Sequence, residues 1–408
     1  MKQLIFVIAS FGIIPLLNKT KISLGVKIII TALVISILSG LAPAVIFGNF
    51  LRVFEKPASV EILLIVGIVG IINAIMSEYG LLDKIVSDLS ATIKNTRALF
   101  MLLPALVGLL AVPGGAIMSA PFIMSIGEQT GMPVPRRAAL NLIYRHISLF
   151  IMPYAQANLI VQAFFPEINI YKIICVNSIF FLTICAFSYF LYLRDIPAEK
   201  NTAPMPAKER AAKLRSLAVN LSPIYIGIVL NILSGIRFSV CLTASVAILY
   251  FLGPRKGFVK LLFGSISVNL ILSMAAVFFV QETVLSLEEL TGLFSAMFYS
   301  GAYSLLVILF VSLFFGTITG LMAPSLGILL PLISSLGLNG NEILPYLYFV
   351  YCSAFCGYFF SPLHMCQVLT NDYMSLKISE LWKEYRLLIP FIIALLGISF
   401  FILKLVFV

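Results

Sequence analysis

The side chains that could bind a solute or an ion are clustered at four proline-containing interruptions of apolar segments. These interruptions lie at residues 111–123, 150–160, 322–333 and 359–370. Such interruptions leave backbone N–H groups that offer partial positive charge to an anion, and carbonyls that can hold a cation such as Na⁺. The alternative is that the prolines shape packing while Ser, Thr and Asn side chains satisfy loose backbone groups. The arrangement in two matched pairs favours a binding site. The predicted substrate- or ion-binding residues are Pro113, Gly114, Gly115, Ser119, Gln156, Asn158, Thr319, Pro324, Ser325, Ser361, His364, Gln367 and Asn371.

The chain has two histidines, His146 and His364. An ionisable side chain inside an apolar span is costly to bury and is functional by default. His364 lies two residues after Pro362 and is predicted to contact an anion or to carry a proton. The alternative is a neutral ring that hydrogen-bonds to a backbone carbonyl. Arg145 and His146 are possible anion contacts, although Arg145 could instead extend toward the inner membrane surface.

The six cysteines lie in apolar stretches, where cysteine behaves as a small hydrophobic residue, so no disulfide framework is predicted. Cys352, Cys356, His364 and Cys366 nevertheless offer sulfur and imidazole ligands of the kind that zinc accepts. A membrane-embedded metal-dependent enzyme is therefore an alternative. The sequence has no HExxH, GxSxG or Walker motif. We therefore predict a protein that is not an enzyme, with no metal site, no catalytic residues and no cofactor apart from a coupling ion.

The elements that position these residues are apolar spans. Of 408 residues, 61% are hydrophobic and 11% are charged, and the mean hydropathy is +1.08. Soluble domains carry about 25% charged residues, so the composition predicts an all-α polytopic membrane protein. The formal charge of +10 comes mainly from lysines and arginines in short loops. Such a pattern indicates orientation in a bilayer rather than nucleic-acid binding.

The chain divides into two halves of similar length around a polar linker. Two landmarks recur in both halves, since Pro113 and Pro324 are 211 positions apart while Pro153 and Pro362 are 209 apart. Two landmarks at nearly the same offset favour an internal repeat. The predicted units are repeat 1 at residues 1–193, a cytoplasmic linker at 194–216 and repeat 2 at 217–408.

Each half is predicted to contain one re-entrant hairpin and one broken helix. The hairpins are expected at about 98–127 and 302–336, and the broken helices at about 138–165 and 344–371. With re-entrant hairpins each half has five transmembrane helices, an odd number, so the second repeat is inverted relative to the first. Most of the 27 lysines and arginines then fall in inside loops, as the positive-inside rule requires.

At these interruptions the chain resembles the ion transporter superfamily of secondary carriers, which includes divalent anion/sodium symporters, gluconate and lactate permeases and arsenite carriers. The segments GLMAPSLGILLPLI (320–333) and FSPLHMCQVLTNDY (360–373) are most similar to an uncharacterised, domain-of-unknown-function group of prokaryotic integral membrane proteins within it. The resemblance implies a scaffold and a transport part, elevator-type movement and commonly a homodimer. Carboxylate symporters carry Ser-Asn-Thr motifs at their hairpin tips, whereas these tips contain PGG at 113–115 and APS at 323–325. The resemblance therefore does not assign the ion ligands of carboxylate symporters to residues of this chain.

These observations predict a secondary active transporter in the inner (cytoplasmic) membrane. It is expected to move a small, anionic organic solute, coupled to Na⁺ or H⁺. The expected partners are the solute, the lipid bilayer and a second copy of the chain, with no nucleic acid. The alternatives are a cation/proton antiporter without an organic substrate and the membrane-embedded metal-dependent enzyme.

Overall fold

The computed structural model describes residues 2–17, 20–109, 116–198, 205–299, 303–338 and 340–407, and every regular element in these ranges is a helix. The helices of the first half are α1 (Lys2–Phe11), α2 (Ile13–Leu17), α3 (Leu24–Leu38), α4 (Pro43–Glu55), α5 (Pro57–Glu78), α6 (Leu81–Thr92), α7 (Thr96–Leu109), α8 (Ala116–Gln129), α9 (Val134–Ile147), α10 (Gln156–Phe164) and α11 (Ile170–Ser188). Those of the second half are α12 (Ala207–Ser234), α13 (Phe238–Leu252), α14 (Phe258–Gly264), α15 (Val268–Leu285), α16 (Glu288–Tyr299), α17 (Tyr303–Thr319), α18 (Ala323–Ser334), α19 (Leu344–Phe359), α20 (Met365–Tyr373), α21 (Ile378–Glu384) and α22 (Leu388–Phe407).

Several helices are long and apolar enough to cross a bilayer, which needs about 20 residues at a rise of about 1.5 Å per residue. They include α5, α12, α22, α15 with the preceding α14, and α11 with a π-helical extension. These helices confirm the prediction of a helical membrane protein. Their ranges are Pro57–Glu78, Ile170–Leu193, Ala207–Ser234, Phe258–Leu285 and Leu388–Phe407.

Two pairs of consecutive helices pack together as hairpins, α7 with α8 and α17 with α18. Their arms contain 12 to 17 residues, fewer than a complete span needs. The second hairpin turns at Gly320, whose φ of +64° suits glycine, and Pro324 lies in the first turn of α18. The predicted tip of the first hairpin, Pro113, Gly114 and Gly115, lies outside the described residues.

Two helices are interrupted close to a proline. A single 3₁₀ turn at Ser148–Phe150 follows α9 before α10 begins, and residues 360–364 separate α19 from α20. Pro153 and Pro362 lie in these two gaps. A proline has no N–H to donate and disfavours helical geometry at the residue before it, so neither helix continues through its proline.

The two halves contact each other reciprocally. α10 of the first half packs on α18 of the second, and α20 of the second half packs on α8 of the first. In the same way, α15 packs on α3 while α5 packs on α13. The second piece of each broken helix therefore lies against the hairpin of the other half, which brings the two interruptions together.

Both ends of the first hairpin lie at the C-terminal end of α11. Arg97, at the start of α7, donates a hydrogen bond from Nη1 to the hydroxyl oxygen of Tyr189 (2.8 Å). Arg136, in the first turn of α9, lies 3.8 Å from the carboxylate of Glu384. The carbonyl of Glu384 accepts a hydrogen bond from the hydroxyl of Tyr192 (2.6 Å). The chain therefore enters and leaves this hairpin at the same end of the molecule.

The second hairpin ends at the opposite end of α11. Lys172, in the first turn of α11, donates a hydrogen bond to the side chain of Asn341, which lies between α18 and α19. Lys172 and Tyr189 are separated along α11 by about 26 Å at about 1.5 Å per residue. The second hairpin therefore ends about one bilayer thickness away from the ends of the first.

Close approaches at two glycines hold each hairpin against the broken helix of its own half. A Cβ atom at Gly108 would lie 2.1 Å from the carbonyl oxygen of Arg145 and 2.4 Å from Oγ of Ser148. A Cβ atom at Gly320 would lie 2.6 Å from the carbonyl oxygen of Leu363. Only glycine permits such close contacts, because any side chain would overlap the neighbouring backbone. Each hairpin therefore packs directly against the backbone beside the interruption of its own half.

Candidate functional site

A cavity of about 230 Å³ lies where the two interruptions meet. Its wall combines the last turn of α9, the starts of α10, α18 and α20, and aromatic side chains of α19. It is smaller than the roughly 300–1,000 Å³ typical of sites for drug-sized ligands, so its size suits a small solute. The described residues that line it are Leu24, Ile28, Gly108, Arg145, His146, Leu149, Phe150, Ala155, Gln156, Ala157, Ile160, Leu321, Met322, Ala323, Tyr351, Phe355, Tyr358 and Cys366.

Three helix N-termini border this cavity. Residues 155–157 begin α10, residues 321–323 lead into α18, and Cys366 lies in the first turn of α20. The first N–H groups of a helix have no partner within it and carry the positive end of the helix dipole, equivalent to about half a unit charge. Each of the three N-termini contributes partial positive charge to the cavity wall, which favours an anion.

Arg145 adds a full positive charge to the same wall. It lies in the last turn of α9, is 4% exposed and lines the cavity beside His146. It is the only lysine or arginine among the described lining residues, and none of these residues carries a carboxylate. A guanidinium in an apolar bundle is costly unless negative or polar groups offset its charge. The cavity therefore has the electrostatic character of an anion site.

The two histidines meet at the wall of this cavity. Nε2 of His146 lies 3.1 Å from Nε2 of His364. The other ring nitrogen of each faces a backbone carbonyl: Nδ1 of His146 lies 2.7 Å from the oxygen of Leu142, and Nδ1 of His364 lies 3.3 Å from that of Phe359. The ring of Tyr358 packs on His364 with 4.2 Å between ring centroids. These contacts fix both imidazoles in the buried interior.

The second interruption is held by Ser361. Its hydroxyl donates to the carbonyl of Thr317 (2.6 Å) and accepts from the N–H of Leu363 (3.0 Å). Its carbonyl accepts from the side-chain amide of Gln367 (3.4 Å). Ser361 therefore satisfies backbone groups that the interruption releases and links the gap to α17, which positions His364 three residues later.

The first interruption is held by Asn158. Its Nδ2 donates to the carbonyls of Leu149 (3.2 Å) and Met152 (2.8 Å), and the hydroxyl of Tyr351 donates to the same oxygen of Leu149 (3.4 Å). These bonds pair carbonyls of the irregular segment with donors inside the protein. Gln156 begins α10, is exposed and lines the cavity, so its amide is available to a solute.

Several other predicted binding residues lie outside the cavity lining. The hydroxyls of Ser119, Thr319 and Ser325 donate to neighbouring oxygens at 2.6, 2.6 and 3.1 Å. These contacts agree with the alternative interpretation of the interruptions, in which polar side chains hydrogen-bond within the protein instead of binding a solute. Gln367 and Asn371 are buried on α20. The predicted site residues that line the cavity are Arg145, His146 and Gln156.

Sequence reasoning missed the aromatic wall of the cavity. Tyr351, Phe355 and Tyr358 on α19 all line it. Their spacing of i, i+4 and i+7 places them on one face of a helix. The spacing is visible in the sequence, but it is equally typical of a helix face buried in a core, so it does not single these residues out.

The sulfur and imidazole side chains that come together differ from the set named for the alternative of a metal-dependent enzyme. Among the described residues, donor atoms of His146, His364 and Cys366 lie within 4.8 Å of one another. Cys352 and Cys356 are buried on α19 and are not part of this group. His146 replaces them because the halves bring the end of α9 against the gap before α20.

A second cavity, of about 410 Å³, lies among α1, α16, α17 and α18, and its described lining is entirely apolar. It presents no polar side chain that would orient a solute. The smaller cavity at the interruptions is therefore the candidate site.

The bilayer-length apolar helices mark the chain as a multi-pass helical membrane protein. The chain belongs to the family described as "Protein of unknown function (DUF401)", whose model matches residues 3–405. No curated protein matches the chain. The family description assigns no activity, so function is argued from the geometry of the site.

Proposed function

We propose that this protein is a secondary active transporter of a small, anionic organic solute across the cytoplasmic membrane. The observation that carries the proposal is the convergence of Arg145 and three helix N-termini on one small cavity whose described lining has no carboxylate. Such a site attracts an anion. Gln156 and the aromatic side chains of α19 would orient the rest of the solute.

An inverted repeat is part of this proposal. Each half contains, in the same order, a long apolar helix, a 12-residue helix, a hairpin and a broken helix; the 12-residue helices are α6 and α16. The reciprocal packing of α10 on α18 and of α20 on α8 supports a two-fold relationship between the halves. The hairpins, which end at opposite ends of α11, support an axis in the membrane plane.

Alternating access would follow from movement of the hairpins and broken helices as one body. Both hairpins approach the broken helices through glycine contacts, so these elements would move together against α3, α5, α13 and α15. A Na⁺ or H⁺ gradient would drive the movement. A homodimer with a cytoplasmic linker completes the proposed arrangement.

Uptake by proteoliposomes tests the proposal. Purified protein is reconstituted, and accumulation of radiolabelled lactate, gluconate, succinate and citrate is measured with an inward Na⁺ gradient, with an inward H⁺ gradient and with neither. We expect gradient-dependent accumulation of at least one of these acids. Cation-driven pH change without accumulation of any acid would instead support an antiporter without organic substrate.

A matched pair of arginine variants tests whether the solute binds in the cavity. Arg145→Gln removes the buried charge and should reduce uptake at least about tenfold, since a charge-assisted hydrogen bond contributes about 1.5–3 kcal/mol. Arg136→Gln removes the same charge two and a half turns earlier, where Arg136 is partly exposed, and should leave uptake within about twofold of wild type. Equal uptake by both variants would contradict an anion site at Arg145.

A further inference from the structure

We infer that His146, His364 and Cys366 form a binding site for a transition-metal cation of the Zn²⁺ type in the wall of the cavity. All three side chains are buried, and one donor atom from each lies within 4.8 Å of the others. The site goes beyond the proposed transport, because it is defined by these donor atoms whether or not a solute is carried.

The positions of the ring hydrogens give the first argument. A carbonyl oxygen only accepts hydrogen bonds, and Nδ1 of each histidine faces one, from Leu142 and from Phe359. A neutral imidazole carries a single N–H, and with that N–H on Nδ1 each ring donates to the carbonyl that it faces. Both Nε2 atoms then present lone pairs to each other across 3.1 Å. Two lone pairs at this distance repel unless a cation lies between them.

The separation of the two nitrogens gives the second argument. Imidazole nitrogens bind zinc at about 2.0–2.1 Å, so two of them in a tetrahedral site are about 3.3–3.4 Å apart. The observed Nε2–Nε2 distance between His146 and His364 is 3.1 Å, close to this value. The Nδ1–carbonyl contacts of both rings are also those by which metal-bound histidines are usually oriented.

The sulfur of Cys366 distinguishes a metal ion from a shared proton. A proton between the two Nε2 atoms would need no third donor, whereas zinc binds nitrogen and sulfur ligands together. Cys366 supplies that sulfur from the first turn of α20. On binding, the thiol proton leaves to the solvent and the sulfur donates an electron pair to the metal.

The fourth coordination position would open into the cavity. His146 and Cys366 both line it, together with Arg145. A dication bound by one thiolate and two neutral imidazoles keeps one net positive charge, so a water molecule or an anion in the cavity would complete the site. If the proposed transport is correct, the carboxylate of the solute would contact both this ion and Arg145.

Metal loading of the full-length protein in detergent tests the inference without any solute. Protein is stripped with a chelator, dialysed, loaded with Co²⁺ or Zn²⁺ and freed of excess metal, and bound metal per chain is measured by mass spectrometry. We expect about one ion per chain. The Co²⁺ form should show a thiolate-to-cobalt charge-transfer band and the intense visible bands of tetrahedral cobalt, and Zn²⁺ should displace both.

Variants assign the ligands. His146→Asn and Cys366→Ser should each lose most of the bound metal, and Cys366→Ser should abolish the charge-transfer band. Cys352→Ser is the matched control, since Cys352 is also buried but lies outside the group, and it should bind metal as wild type does. Melting temperature and gel filtration establish that each variant is folded.

Wild-type protein that is folded but binds no Co²⁺ or Zn²⁺ would overturn the inference and leave a shared proton between the histidines. A cobalt spectrum without a sulfur band would also overturn it. These results are independent of uptake, because a failed uptake experiment leaves metal content unchanged and a metal-free protein can still transport. Failure of the metal site and failure of the proposed transporter are therefore distinguishable.

Discussion

Nε2 of His146 lies 3.1 Å from Nε2 of His364, although 218 positions separate the two residues. One ring comes from the end of α9 in the first half, and the other from the residue that precedes α20 in the second half. Neither helix alone creates the contact. It depends on the reciprocal packing of α10 on α18 and of α20 on α8. The site therefore forms only when both halves are assembled.

Gly320→Ala should destabilise the protein through its contact with the second interruption. The new Cβ would lie 2.6 Å from the carbonyl oxygen of Leu363, and such overpacking costs about 1–3 kcal/mol. Gly337→Ala is the matched control, because Gly337 has nearly the same positive φ but nothing within 4 Å of its Cβ position. Both variants share the backbone strain, so the difference between their melting temperatures measures the close approach. Equal melting temperatures would count against it.

Asn158→Ala should weaken the first interruption. It removes two buried hydrogen bonds, to the carbonyls of Leu149 and Met152, and each such bond contributes about 0.5–1.5 kcal/mol. Gln162→Ala, on the same helix, removes an amide that bonds at the surface to Pro166 and should change stability by less than about 0.5 kcal/mol. Chemical or thermal unfolding followed by intrinsic fluorescence provides the comparison. Similar losses in both variants would contradict a special role for Asn158.

Gln156→Ala should change transport without changing stability. Its side chain is exposed to the cavity, so folding should tolerate the substitution within about 0.5 kcal/mol. Loss of one hydrogen bond to the solute, about 1.4 kcal/mol, should raise the KM for uptake about tenfold. The measurement is the concentration dependence of uptake in proteoliposomes, with Gln162→Ala as the control. An unchanged KM would remove Gln156 from the solute path.

The interruptions themselves are predictable from the sequence. Pro153 and Pro362 lie in the two gaps because proline lacks the N–H that a helix interior requires, and this chemistry is local. Arg145 is predictable as a site residue for a similarly local reason, because a charged side chain within an apolar span is costly to bury. It lines the cavity.

The partner of each polar side chain is less predictable. The hydroxyls of Ser119 and Ser325 bond to oxygens of other segments, and no sequence pattern distinguishes a hydroxyl that pairs within the protein from one left for a solute. The contact of His146 with His364 and Cys366 has no local signal either, because it is made by helices from different halves. Sequence reasoning accordingly grouped His364 and Cys366 with cysteines of the neighbouring helix.

The arrangement of the hairpins underlies the whole account, and thiol labelling measures it directly. Cysteine is introduced singly at Lys94 and Glu128, at the two ends of the first hairpin, and at Ser335, at the end of the second. The background is Cys175→Ser, since Cys175 is the exposed cysteine among the described residues.

An impermeant maleimide is applied to oriented membrane vesicles before and after permeabilisation. We expect the cysteines at Lys94 and Glu128 to react from the same face of the membrane, and the cysteine at Ser335 to react from the opposite face. Reaction at Lys94 and Glu128 from opposite faces would contradict the first re-entrant hairpin. Reaction of all three from one face would contradict the inverted relationship between the halves.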